Sequence, residues 1–481
     1  MISRRSISIA ALKTLVALVW LSLAVHTHCF TQTKASTIDT LMHRLAERGQ
    51  FNGSVLIAEH GKVIYENGFG KADIVSNIDF TPSTPCYLAS LTKQFTAMAV
   101  MMLAEEQKLS YSDPLSKYFP EFPPYSQKIT IQHLLNHTSG IPDYPSLGLE
   151  HPGLTNNDVL SALIRQDSLQ FSPGDRNKYS NSGYILLAMI IEKVSGLPYR
   201  RFLQKNIFQP LAMNNTVVYD DSKQGIKGRA HGYNRFGDNS DYDLLTYGEG
   251  GMYSTVEDMF KWDQALYAEK LVKQSALAEA YTKAKLNDGN TANYGFGWGI
   301  GDYNGEITYS HAGRYGGFNT YIKRFSKNQH AIIFLTNHDF RNMSIIGNAL
   351  INILFDKPYT LPRLSVAEFV YKVYQSDGIA SALQRYRYLK QNNDTTYDFS
   401  ESELNELGYH FLGTKKIHDA IEVLKLNAEQ YPSSSNVYDG LGEAYMDNDD
   451  KELAIQNYRK SLELDPGNSN AVFMLKKLNE K

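Results

Sequence analysis

Ser90 and Lys93 stand one helical turn apart in "CYLASLTKQFTAM" (residues 86 to 98), with Leu88, Ala89, Leu91, Phe95 and Met98 around them. A serine hydroxyl is a weak nucleophile at neutral pH until a neighbouring group takes its proton. Residues three apart on a helix face each other. A lysine among apolar groups loses hydration, which favours its neutral, proton-accepting form. The pair is therefore either a nucleophile beside its base or an ordinary first helical turn. Two further clusters bear on the choice. Tyr179-Ser180-Asn181 lies between a Pro-Gly turn and a helix, and His311-Ala312-Gly313 lies inside a strand-like segment.

Ser90-x-x-Lys93, Tyr179-x-Asn181 and His311-x-Gly313, in this order and each in its own local context, resemble the serine β-lactamase and penicillin-binding-protein superfamily. The branch they are most similar to holds class C β-lactamases, D-alanyl-D-alanine carboxypeptidases, D-aminopeptidases and related esterases. "LLNHTSGIPDY", "PGDRNKYSNSGY" and "GEGGMYST" look like that branch too, so the resemblance covers about residues 37 to 357. It implies Ser90, Lys93 and Tyr179 as catalytic residues, and Asn181, His311, Gly313 and Arg314 as substrate-binding residues. Ser90 would form an acyl-enzyme, Lys93 and Tyr179 would share its proton, and either of the two could be the base. Asn181 would orient a substrate amide and steady Lys93. Gly313, lacking a side chain, would let substrate approach the strand edge. The oxyanion donors would be the backbone N–H groups of Ser90 and Arg314.

One position departs from the pattern. Many β-lactamases carry Lys-Thr-Gly at the third motif, where the lysine charge assists binding of a substrate carboxylate; here His311 takes that place. Histidine titrates near 6.5, so its charge is expected to be partial and set by its surroundings. That shifts the expected substrate from a β-lactam towards a peptide or a carboxylic ester. Arg314 is a candidate partner for a substrate carboxylate. Other matches read as structure: Tyr65-Glu66-Asn67 as a strand end, His151-Pro152-Gly153 as a loop, and His137 as a turn residue. No metal-ligand set or phosphate-binding loop stands out, so no cofactor and no metal are expected.

The expected fold class is α/β: an antiparallel sheet flanked by helices with an all-helical domain, β-lactamase/transpeptidase-like, followed by an α-helical repeat domain. "GSVLIAEHGKVIYENGFG" alternates like a β-hairpin. A helix is expected from Ser90 to about Glu106, and another from about Ser182, closed by Gly196. "YGFGWGI", "ITYSHAGRYGGFNTYIKRF" and "HAIIFLTNHD" read as successive antiparallel strands. Residues 401–434 and 435–468 repeat with a 34-residue period: Leu407, Gly408, Ala420, Ile421, Glu429 and Pro432 recur as Leu441, Gly442, Ala454, Ile455, Glu463 and Pro466. Period and pattern resemble the tetratricopeptide repeat, which makes 401–481 a repeat region and a candidate surface for a protein or peptide partner. Residues 358–400 read as a linker with a degenerate helix pair at 365–391.

At 481 residues the chain is long enough for two or more domains. A net charge of −3 and no long basic run give no electrostatic reason to expect nucleic acid. Arg4 and Arg5 precede the apolar run "TLVALVWLSLAV", too short for the roughly 20 residues of a membrane span and suited to a secretory signal over residues 1–30. A periplasmic or secreted location is the expectation. Membrane contact arises only if that segment stays uncleaved or Cys29 is lipidated. Cys86 would then be the lone thiol of the mature chain, unable to form an intrachain disulfide, and its expected role is buried packing. A non-catalytic binding scaffold built on the repeats is the rival reading from another class.

Overall fold

The computed structural model describes residues 34–219, 225–340 and 343–479. The signal-like segment and Cys29 lie outside these residues. The chain divides into two units, Met1–Leu361 and Pro362–Lys481.

The first unit is built on a six-stranded antiparallel sheet. Its strands are β1 (Gly53–Glu59), β2 (Lys62–Phe69), β3 (Gly299–Tyr303), β4 (Glu306–Tyr315), β5 (Phe318–Phe325) and β6 (His330–Thr336), in the spatial order β3-β4-β5-β6-β1-β2. β1 therefore pairs with β6, Gly53 opposite Thr336 and Ile57 opposite Ile332, so the first strand of the chain closes against the last of the sheet. Both strands are apolar almost throughout because both faces of the sheet are covered. Val55 and Ile57 join Ile332 and Phe334 in one core with the helix over residues 34–47 and the helix Met343–Leu354. Leu56 and Ala58 point the other way, with Ile333 and Leu335, into the larger core that includes the mid-chain helices. The strand period of two thus divides a single hydrophobic run between two cores.

Of the expected strands, "YGFGWGI" departs most: only Gly299 and Ile300 of that stretch enter β3. Gly297 stands at φ 76°, a left-handed position that breaks the extended run, and Trp298 turns into the core. Tyr65–Asn67 fall inside β2, and His151–Gly153 form a turn.

Two helices of the larger core carry the residues of interest. One, Thr92–Glu105, is buried on nearly every side, as a helix apolar all round must be. The other, Asn181–Ser195, has Ser180 as N-cap and ends on left-handed Gly196.

The second unit is helical. Residues 365–391, read from the sequence as a degenerate helix pair, form one helical element, Val366–Gln391, broken at Gly378 (φ 76°, ψ 175°) into two helices. Helices Glu401–Gly413, Ile417–Gln430, Ser435–Asp447, Lys451–Leu464 and Ser469–Asn479 follow. The 34-residue period has a physical counterpart here. A Cβ at Gly408 would fall 2.5 Å from Leu424, and one at Gly442 would fall 3.1 Å from Tyr458, the equivalent place one period on. We expect Gly408→Val to destabilise this unit by about 1–3 kcal/mol through overpacking. The check is an earlier unfolding transition in calorimetry, with the transition of the first unit unmoved.

Candidate active site

Ser90 sits in a short 3-10 turn, Ala89–Leu91, directly ahead of the buried helix Thr92–Glu105, rather than in that helix's own first turn. Ala89 adopts φ 47°, a left-handed conformation that a residue with a Cβ adopts at some cost. The surroundings hold it there. The Leu88 N–H donates to the Met252 carbonyl at 2.8 Å, and the Leu88 carbonyl accepts from Thr320 Oγ1 at 2.8 Å. Strand β4 presses on the same turn at Gly313, where a Cβ would lie 2.3 Å from both the Leu88 carbonyl and Thr320 Oγ1. Gly313 lines the cleft, and its missing side chain lets strand and turn pack this closely.

Lys93 is fully buried, and its ammonium makes three hydrogen bonds: to Ser90 Oγ (3.0 Å), Asn181 Oδ1 (2.8 Å) and the Glu249 carbonyl (2.9 Å). None of the three acceptors carries a charge. Burial therefore dominates, and the Lys93 ammonium is pushed down to about 7, with Glu249 and Asp143 pulling the other way. Tyr179 hydrogen-bonds Ser90 and stacks near Lys93, whose Nζ lies 4.8 Å from the ring centre. The Tyr179 phenol moves upward: loss of hydration leads, the Asp143 and Glu249 charges add to it, and the Ser90 contact opposes it. Of the two side chains on Ser90, Lys93 is thus the one disposed to be an unprotonated base, and Tyr179 keeps its proton.

Asp143 positions Asn181. Its Oδ1 accepts from the backbone N–H of Asn181 (2.6 Å) and of Ser182 (3.1 Å), and its Oδ2 accepts from Asn181 Nδ2 (3.0 Å). A carboxylate on the first amides of the helix Asn181–Ser195 also meets the positive end of the helix dipole. With Nδ2 committed to Asp143, Asn181 must turn Oδ1 towards Lys93. His137 (φ 58°) steadies the loop from below, its Nδ1 accepting from the Ser180 N–H at 3.2 Å and its ring 4.3 Å from that of Tyr179. We expect Asp143→Ala to free Asn181 and lower acylation by up to about 10²-fold, the scale of misplacement effects, while costing roughly 0.5–2 kcal/mol as a lost cap. Stopped-flow acylation and thermal melts of the same variant read both.

The surroundings of His311 favour its neutral form. Its Nδ1–H donates to the Ala312 carbonyl at 2.7 Å, so Nε2 accepts from the Tyr294 hydroxyl at 2.9 Å. Burial, reinforced by the Lys93 charge, drives the imidazolium down to about 3 against the help of that carbonyl. The Arg314 guanidinium is 64% exposed and already pairs with Asp339 at 3.0 Å, so the carboxylate that it meets is the chain's own.

The sequence motifs converge. Ser90, Tyr179, Asn181, His311, Gly313 and Arg314 all line one open cleft of about 560 Å³, and Lys93 lies just behind its floor. Asp143, Glu249 and Tyr294 were not singled out in the sequence. Asp143 stands within the family-like "GIPDY" and Glu249 within "GEGGM", so the stretches carried a signal although the residues did not. Cys86 is buried and unpaired, and burial raises its thiol far above the range in which it would react. Among the described residues one trio, Glu59, His60 and His330, brings ligating atoms within 4.8 Å of one another. Glu59 pairs with Lys34 at 2.7 Å, and His330 Nδ1 accepts the His60 backbone N–H at 3.1 Å.

The Beta-lactamase family model matches residues 36–352. A penicillin-binding protein of Bacillus subtilis (strain 168) is 36% identical over 357 residues, covering 69% of this chain and 78% of its own. The octameric penicillin-binding protein homologue from Pyrococcus abyssi superposes with a TM-score of 0.61 at 29% identity, covering 70% of this chain and 81% of its own. D-amino acid amidase from Ochrobactrum anthropi, crystallised with L-phenylalanine amide, gives a TM-score of 0.57 at 25% identity, covering 67% of this chain and 98% of its own.

Proposed function

The chain belongs to the beta-lactamase family, and from that premise we propose that it cleaves peptides, including those with D-residues or bacterial wall character, through an acyl group carried on Ser90. At the level of the family it is a serine hydrolase of the β-lactamase and penicillin-binding-protein kind. The observation that carries the finer reading is the 3.0 Å contact between Ser90 Oγ and the buried amine of Lys93.

When that amine is neutral, the contact runs the other way and takes the Ser90 proton as Oγ attacks the substrate carbonyl. The tetrahedral oxyanion is received by the N–H groups of Ser90 and Arg314; losing one such donor costs about 2.7–4 kcal/mol elsewhere. The proton on Lys93 then passes, with Tyr179 as relay, to the departing nitrogen as its bond to the carbonyl carbon breaks. A water attacks the ester on Ser90, the same base takes its proton, and the serine hydroxyl is restored. Asn181 holds Lys93 on one side and offers its amide to the substrate on the other.

A neutral His311 supports a peptide over a β-lactam, since no fixed charge stands where the carboxylate of a β-lactam would need one. The same groups would open a carboxylic ester. Likeness to a D-amino acid amidase supports an amide of a D-amino acid among the substrates. The basic and apolar N-terminal segment supports export to the periplasm or beyond, and the repeated helix pairs support a peptide or protein partner. Purified protein offered D-Ala-D-Ala peptides, p-nitrophenyl esters and nitrocefin tests the reading. Peptide cleavage with a slower nitrocefin rate is expected; nitrocefin turnover far above both other classes would overturn it.

A further inference from the structure

Tyr179 relays the proton in the reaction proposed above, yet no regular element holds it. Residues 176–180 belong to no helix or strand and end at Ser180, the N-cap of the helix Asn181–Ser195. The hydrogen bonds of this loop go instead to the stretch 136–138. The Gly174 N–H donates to the Thr138 carbonyl and Asn177 Nδ2 to the Asn136 carbonyl, both at 2.8 Å. His137 takes the two bonds that bracket Tyr179. Its carbonyl accepts the Lys178 N–H at 2.9 Å, and its ring Nδ1 accepts the Ser180 N–H at 3.2 Å. The same ring is centred 4.3 Å from that of Tyr179, nearer than Tyr294 at 6.3 Å or His311 at 6.2 Å.

A turn alone would not ask for this side chain. Glycine reaches a φ of 58° without the steric cost that His137 bears. The His137 ring is buried, and because Nδ1 is an acceptor the ring proton sits on Nε2, which has no hydrogen-bond partner among the described residues. A buried donor left unpaired is unfavourable. Burial, with the Lys93 and His311 charges adding to it, also moves the imidazolium well below its usual range, and the Ser180 contact opposes this. The ring is thus disposed to stay neutral, and it serves by its shape and its acceptor. A strained backbone and an orphan donor together mark a position held for a task.

We propose that His137 is a positioning residue, which sets the Tyr179 phenol against Ser90 and so controls delivery of a proton to the departing group. The inference rests on the acyl-enzyme reading above, with Tyr179 as its relay. As the tetrahedral intermediate collapses, the bond from carbonyl carbon to nitrogen breaks and its electron pair goes to nitrogen. Nitrogen takes the Tyr179 proton, and Lys93 replaces that proton on the phenol oxygen. An amine leaves only with this proton, whereas p-nitrophenolate leaves as an anion without it. Displacing Tyr179 therefore slows cleavage of an amide far more than that of an activated ester. A variant that had merely lost stability would lose both alike.

His137→Asn removes the ring but keeps an oxygen for the Ser180 N–H and tolerates the left-handed backbone. Its kcat/KM is compared with wild type on N-acetyl-D-alanyl-D-alanine and on the p-nitrophenyl ester of N-acetyl-D-alanine. We expect the loss on the peptide to exceed that on the ester by about tenfold or more. Tyr179→Phe should show the same bias, and adding His137→Asn to it should not widen the bias. A crystal structure of His137→Asn reads placement without turnover, with the Tyr179 hydroxyl expected out of hydrogen-bond reach of Ser90. Should His137→Asn fail to fold, His137→Gln takes its place with the same expectations. Equal losses on the two substrates while Tyr179→Phe is biased, or a Tyr179 still seated on Ser90, overturn the proposal. The reading beneath it fails separately: a wild-type chain without a fluorophosphonate adduct rules out the acyl-enzyme, and an unbiased Tyr179→Phe rules out the relay. In either event the crystal structure still decides whether His137 places Tyr179.

Discussion

Ser90→Ala is expected to abolish covalent labelling by fluorophosphonate and to lower hydrolysis of any accepted substrate by roughly 10⁴-fold or more, the scale of nucleophile removal in serine enzymes. The substitution deletes one oxygen. It leaves Ala89 in its left-handed turn, and Lys93 keeps Asn181 and the Glu249 carbonyl as partners. Folding should therefore be untouched, and thermal melts of the two proteins should superimpose. Intact-mass measurement after probe treatment reads the outcome directly: a single adduct on the wild-type chain and none on the variant. An adduct that persists in Ser90→Ala would place the nucleophile elsewhere. Absence of an adduct in both proteins would favour a binding scaffold with a hydrolase fold.

Lys93 governs the second large effect, through pH. Its ammonium is pushed down to about 7 by burial, so the acylation rate should rise as pH increases through that value and level off above it. Lys93→Arg, which stays charged at every accessible pH, should remove this rise and lower acylation by about 10²–10⁴-fold. Single-turnover acylation between pH 5 and 11 distinguishes the cases; a rate flat through 7 that is still climbing above 10, where the raised Tyr179 phenol would ionise, would assign the base to Tyr179 instead. Stability follows the same group. An unfolded lysine holds its proton up to about 10.5, whereas the folded one releases it near 7. The folded state is therefore favoured most above the unfolded value, and this contribution is lost as pH falls from there towards 7. Lys93→Met should flatten that stretch of the stability curve, read by denaturant unfolding at several pH values.

The legibility of this chain was uneven for physical reasons. Ser90, Lys93, Tyr179, Asn181 and His311 could be found because each belongs to a short motif whose local element is also readable: a buried helix, a capped helix start, a strand. Asp143 lies 38 residues before Asn181, and the bond between them forms only when the loop folds back onto the helix end. Lys93 reaches a backbone carbonyl at position 249, 156 residues away, a contact that no side-chain pattern announces. The charge of His311 was left to its surroundings in the sequence because its type leaves it open, and Tyr294, which holds the ring, sits on a loop that read as strand. Residues 365–391 were readable as a degenerate helix pair, and Gly378, which interrupts their pattern, is the bend between the two helices. The sheet, by contrast, was visible in outline, since strands covered on both faces leave long apolar runs such as "HAIIF".

The Gly408–Leu424 fit, repeated as Gly442 with Tyr458, has an architectural consequence. In each period the first helix meets the second through the same small-against-large joint, so excising one whole period leaves every such joint intact, while a cut inside a period parts a glycine from the side chain that fills its place. Such a unit can be lengthened or trimmed in whole steps of 34 residues without breaking a joint of this kind.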